Sequence, residues 1–140
     1  MGMNVKQASV RIFKSRWFAR FAHKERIGDA KLCEAVREAD KGNIDADYGG
    51  GVIKQRIARL GQGKSGGYRS IIYYRQGNKA FYIYGFSKKD RDNIADAEVR
   101  EFKKQARLTL ALSDSELAKL IANETYQEVN CHEEKSDNKG

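Results

Sequence analysis

The chain has no proline, one tryptophan, two histidines and two cysteines among its 140 residues, and each scarcity narrows what it does. No run of about 18 apolar residues occurs, so no segment is expected to span a membrane. The first ten residues lack the apolar stretch of a secretory signal. Cys33 falls inside a helical pattern and Cys131 in a polar tail. Their spacing fits neither a disulfide framework nor the paired C-x-x-C ligands of a zinc site. Two unpaired thiols imply a reducing cytoplasm. With only His23 and His132 available, a ribonuclease built on two histidines is not expected. The run Gly61-Gln62-Gly63-Lys64-Ser65-Gly66 has the wrong spacing for a phosphate-binding loop and precedes a strand pattern rather than a helix. Neither H-E-x-x-H nor G-x-S-x-G occurs. No metal or organic cofactor is implied.

What is present is positive charge, unevenly placed. The net charge is +8, yet the first 110 residues carry 24 Lys/Arg against 12 Asp/Glu, and the remaining 30 carry 3 against 7. Residues 51–91 hold ten basic residues and a single acid, Asp90. Seven aromatics share that stretch: Tyr68, Tyr73, Tyr74, Phe81, Tyr82, Tyr84 and Phe86. Cations answer phosphates and aromatic faces stack on unpaired bases, so a nucleic acid is the leading partner. A basic solvated face beside a sheet core would have the same composition.

Patterning predicts an α+β domain over 1–128, followed by a disordered polar tail at 129–140. A short strand is expected at Ser9–Phe13. A helix follows at Ser15–Glu25, with Trp17, Phe18 and Phe21 on one stripe, and a second at Asp29–Asp40 with Asp29 as N-cap. Gly-rich segments at Asp47–Gly51 and Gly61–Gly67 punctuate the chain. Three strands are expected at Val52–Arg59, Tyr68–Arg75 and Ala80–Phe86, the last two joined as a hairpin at Gln76-Gly77-Asn78. Gly85 suggests a bulge or bend. A long helix is expected at Asp92–Leu110. Ser113-Asp114-Ser115-Glu116 then spells a capping box opening a short helix with Leu117, Leu120 and Ile121 on one side. The sheet is expected to be small, twisted and antiparallel, with two helices before it and helices after it.

On the first of the three strands Lys54 and Arg56 point to the face opposite Ile53 and Ile57. Arg69 opens the next strand, and Lys88 and Lys89 follow the third, so antiparallel pairing can bring these cations together. A cluster of like charges is costly unless an anion sits there. Crowded lysines also lose protons more readily, which suits a general base. Strand-edge lysines that merely block aggregation would look the same.

Three stretches in order carry a resemblance: Gly49-Gly50-Gly51-Val52-Ile53-Lys54-Gln55-Arg56-Ile57-Ala58-Arg59, then Gly63-Lys64-Ser65-Gly66-Gly67-Tyr68-Arg69-Ser70-Ile71-Ile72-Tyr73-Tyr74, then Ile83-Tyr84-Gly85-Phe86-Ser87-Lys88-Lys89. Over roughly residues 10–125 the chain resembles RelE/HigB-type toxins of toxin–antitoxin systems. The resemblance implies a metal-free endoribonuclease, acting in the cytoplasm on mRNA in the ribosomal A site. The ribose 2′-OH attacks its own phosphate, the 5′-oxygen leaves, and a 2′,3′-cyclic phosphate forms. By position Lys54 becomes the base with Arg56 beside it, Arg69 the phosphate clamp, and Lys88 or Lys89 the source of charge or of the proton. Arg59 and Lys64 would contact RNA, and Tyr68 and Phe86 would either stack on a base or pack under the sheet. Some family members carry a catalytic tyrosine or histidine where the final helix starts. Here that stretch reads Asp90-Arg91-Asp92-Asn93-Ile94-Ala95, with neither. A helix-turn-helix antitoxin of the HigA type is the implied partner. A ParE-like toxin that binds gyrase without cleaving, and a plain RNA-binding or DNA-binding module, remain alternatives.

Overall fold

The computed structural model describes residues 10–59 and 63–131, without the side chains of residues 59 and 63–66. Among the described residues the elements are β1 (Arg11–Ser15), α1 (Arg16–Glu25), α2 (Asp29–Asp40), β2 (Ala46–Gly49), β3 (Val52–Arg59), β4 (Gly63–Arg75), β5 (Lys79–Ser87), α3 (Asp96–Leu110), α4 (Asp114–Ala122) and β6 (Tyr126–Glu128). The six strands form one open sheet in the order β2-β3-β4-β5-β1-β6. The α+β class and the helices before and after the sheet are as expected. The sheet is mixed rather than wholly antiparallel, because β1 lies parallel to β5.

Helices cover both faces. Along β4, Tyr68, Ile72 and Tyr74 pack into the core beneath α1 and α2. The alternate residues Ile71 and Tyr73 pack into a second core beneath α3 and α4. This is the period-two division that a strand buried on both sides imposes. One irregularity decides which aromatics face α3. Ile71 pairs with Tyr84 but Ile72 pairs with Tyr82, which leaves Ile83 as an extra residue in β5. That bulge puts Tyr84 and Phe86 on the same face as Phe81, where unbroken alternation would have separated them. Gly85, the expected site of the irregularity, pairs regularly with Ser70. Its lack of a side chain serves a close approach instead, since a Cβ there would lie 2.5 Å from Phe21 Cε2.

The local signals account for the helix ends. Ser15 caps α1, its Oγ accepting the Phe18 N–H at 3.1 Å and donating to the Ile83 carbonyl at 3.2 Å. The Ser113/Glu116 capping box forms both of its bonds at the start of α4. α2 has the predicted span but is capped at Gly28, leaving Asp29 inside the first turn. There its carboxylate meets Lys14 Nζ at 3.1 Å. α3 begins at Asp96, four residues later than expected, where Glu98 accepts the Ala95 N–H at 2.7 Å.

Two corrections concern the tail and the cysteines. Val129, where disorder was expected to begin, is buried in the α1/α2 core, and its N–H donates to the Ile12 carbonyl at 2.8 Å. Residues 132–140, His132 included, lie outside the described residues. β6 adds antiparallel to β1 and carries the chain back to α2, where Cys131 forms a disulfide with Cys33 across 98 residues of sequence. The spacing argument missed this pair because the residues meet through the sheet order. The step from unpaired thiols to a reducing compartment therefore lapses.

Candidate active site

Gln55 builds one wall of the site. Its side chain is buried on the α2 face of β3, where Nε2 donates to the carbonyls of Ala35 at 3.0 Å and Asn43 at 2.9 Å. Its Oε1 accepts the Asp45 N–H at 3.2 Å. A buried amide with both ends satisfied is a strong local constraint. It fixes the link between α2 and β2, and with it the position of Asp45.

Asp45 is the acid that the sequence reading left out of an apparently acid-poor basic region. Its Oδ2 lies 3.2 Å from Arg69 Nε and 3.7 Å from Lys54 Nζ. Lys54 and Arg69 are two of the five cations expected to converge, and the side chain of each is only 15% exposed. Arg56 stands directly opposite Arg69 in the β3–β4 ladder, on the same face. Like charges facing each other across strands are unfavourable without an anion. Arg69 Nη1 is buried and has no hydrogen-bond partner among the described residues. An unpaired buried donor costs about 1–3 kcal/mol.

Asn93 closes the other side. Its Oδ1 accepts from Lys54 Nζ at 3.3 Å, from the Tyr48 hydroxyl at 3.5 Å and from the Ile94 N–H at 3.0 Å. Tyr48 comes from β2, which was read only as a Gly-rich connection. Burial, and secondarily the Asp45 charge, push its phenol above the ordinary range, so it stays protonated at neutral pH. Its nearness to a cationic strand was not legible, because four residues ending in glycine have no clear strand pattern. Next to Asn93, Arg91 donates to the Asn93 carbonyl at 2.9 Å and to the Tyr84 hydroxyl at 3.1 Å, and pairs with Glu98 at 2.7 Å. These bonds, that to Glu98 first, hold its guanidinium pKa raised.

The other expected residues divide. Lys88 and Lys89 are exposed and follow β5 just beyond the Tyr68–Ser87 pair, at the same end of the sheet as Arg69. The side chains of Arg59 and Lys64 lie outside the described residues. Tyr68 and Phe86 are 2% and 3% exposed, so neither presents a face to a base. Tyr68 turns its hydroxyl to Glu25 at 2.9 Å, and Arg91 covers the Phe86 ring with its guanidinium carbon 5.6 Å from the centroid. Packing under the sheet is the alternative that holds for both rings.

Among the described residues no helix is long and apolar enough to cross a membrane, and no group of His, Cys, Asp and Glu side chains could hold a metal ion. No curated protein matches the chain. A family model described as the RelE toxin of the RelE/RelB toxin–antitoxin system matches residues 10–129, a span holding every element described above. The chain therefore belongs to the RelE toxin family and is a toxin of a toxin–antitoxin system.

Proposed function

We propose that this toxin is a ribosome-dependent mRNA endoribonuclease of the HigB-like kind, acting in the cytoplasm without a metal. The observation that carries the reading is the convergence of Arg69 with Lys54, beside it, and Arg56, opposite it in the ladder. A planar guanidinium fork matches two oxygens of a phosphodiester. In the proposed reaction Lys54 acts as the neutral amine and takes the 2′-OH proton, the 2′-oxygen bonds to phosphorus, and the bond to the 5′-oxygen breaks. Arg69 and Arg56 offset charge on the phosphoryl oxygens, the task for which other nucleases recruit a metal. The leaving oxygen takes a proton from Lys88 or Lys89, or from the Tyr48 phenol, and the products are a 2′,3′-cyclic phosphate and a 5′-hydroxyl. Reliance on the ribosome to orient the RNA suits a site with few acid–base groups.

The proposed partner is a HigA-like helix-turn-helix antitoxin that neutralises the toxin by laying acidic residues across this face. Charge reversal at Lys54 and Arg56 then weakens the complex.

A cleavage assay on translating ribosomes tests the proposal. The wild-type chain should cut mRNA with a chelator-insensitive catalytic step, and Lys54→Ala and Arg69→Ala should each relieve growth arrest and lower cleavage by 100-fold or more, on the order of one lost transition-state contact. Full toxicity of both variants would refute the site. Growth arrest without cleavage would point to the gyrase-binding alternative.

A further inference from the structure

Trp17 does not share the fate of the aromatics around it. It is the chain's one tryptophan, and it directly precedes Phe18 in α1. Phe18 is fully buried, whereas Trp17 is 41% exposed. Ser15 caps α1 and also bonds to Ile83, which locks the first turn of α1 to β5. The indole rests against Tyr84 with ring centroids 4.7 Å apart and against Phe21 at 5.4 Å. It is supported from behind by aromatic rings and open toward solvent.

This platform connects to the cationic site through contacts of Tyr84, Arg91 and Asn93. Trp17 packs tilted against Tyr84, the Tyr84 hydroxyl accepts from Arg91, Arg91 donates to the Asn93 carbonyl, and Asn93 Oδ1 accepts from Lys54. Strand register tells the same story. Lys54 pairs with Ile71 and Ile71 with Tyr84, so Lys54 and Tyr84 stand two strand spacings apart on one row, about 10 Å. An extended single strand crossing that row spans the interval with a few nucleotides.

We infer that Trp17 is a nucleobase-stacking position, holding an unpaired base of the RNA a few nucleotides from the phosphate bound at Lys54 and Arg69. The inference rests on the proposed reading of that site as an RNA-cleaving one. Stacking on an indole needs only a free π-face, so the ligand class is single-stranded RNA with little dependence on which base lies there. Trp17 thus performs the role that the buried Tyr68 and Phe86 cannot.

A single tryptophan makes the test direct. The full chain is titrated with a short single-stranded RNA bearing 2′-O-methyl groups, which cannot be cleaved, at low salt. Intrinsic fluorescence and the anisotropy of a dye on the RNA are followed together. Saturable quenching that tracks the anisotropy is expected. Trp17→Ala should weaken binding about tenfold and Trp17→Phe by no more than about threefold, with unchanged circular dichroism. Binding by anisotropy without quenching, or a Trp17→Ala affinity within twofold of wild type, overturns the stacking role and leaves the RNA reading standing. If Trp17→Ala fails to fold, wild-type quenching and the Phe variant still decide. Absence of any RNA binding overturns both readings.

Discussion

Asp45 Oδ2 stands 3.2 Å from Arg69 Nε, so one edge of the candidate phosphate clamp is already engaged by the protein's own carboxylate. The same oxygen lies 3.7 Å from Lys54 Nζ, which makes Asp45 an internal competitor for an incoming phosphate. Removing its charge should favour the ligand. For Asp45→Asn we expect an uncleavable RNA to bind roughly three- to fivefold tighter at low salt, the scale of one partly exposed ion pair. The dependence of affinity on salt should steepen as well, since an added cation becomes available to phosphate. Weaker binding by this variant would show instead that Asp45 serves to orient Arg69.

The Cys33–Cys131 bond closes a loop across 98 residues of sequence and ties the chain after β6 to α2. In the chain-entropy account a loop of that length restricts the unfolded state by about 4–5 kcal/mol, with 2–4 kcal/mol the usual yield. A reducing agent should therefore lower Tm by roughly 10 °C or more for a domain of this size. Cys33→Ser should unfold at the temperature of the reduced wild type and be insensitive to reductant. Equal Tm values for wild type with and without reductant, with two titratable thiols in each, would refute the bond.

The third prediction concerns acid stability. Glu98 is held below the ordinary carboxylate range, first by the Arg91 hydrogen bond and then by the Ala95 N–H. A carboxylate with a folded pKa below its unfolded one binds more protons when unfolded, so stability falls as pH falls. The contribution is whole above the unfolded pKa of glutamate and drains away as pH drops through that value toward the folded one. Glu98→Gln should lower Tm at pH 7 and flatten its decline below roughly pH 5. The side chain is well solvated, so the change in slope is small but measurable by calorimetry between pH 7 and 3. Parallel curves for the two proteins would refute the assignment.

Elements whose pattern is contained within them were legible. Asp29–Asp40 and Val52–Arg59 have the expected bounds, and Ser113 and Glu116 make the expected reciprocal cap, because periodicity and capping act over a few residues. That Lys54, Arg56 and Arg69 share one face of the β3–β4 pair was legible too, since side-chain alternation follows from the strands themselves. β2 and β6 were not. They are four and three residues long, and each is a strand only because a neighbouring strand supplies its partner.

The sequence by itself determined the helices, the central strands, the basic face and the family to which they point, all of which rest on side-chain type and short-range spacing. Tertiary structure alone decided what surrounds that face. It brought Asp45 in through the Gln55 contacts, Tyr48 and Asn93 to Lys54, and Cys131 to Cys33. It buried Tyr68 and Phe86 and left Trp17 exposed, although all three are aromatic residues in amphipathic patterns. The physical reason is that burial and ion pairing depend on which distant segment arrives to cover a side chain. A bulge of one residue at Ile83 and the sheet order β5-β1-β6 settle that, and neither has a local signature.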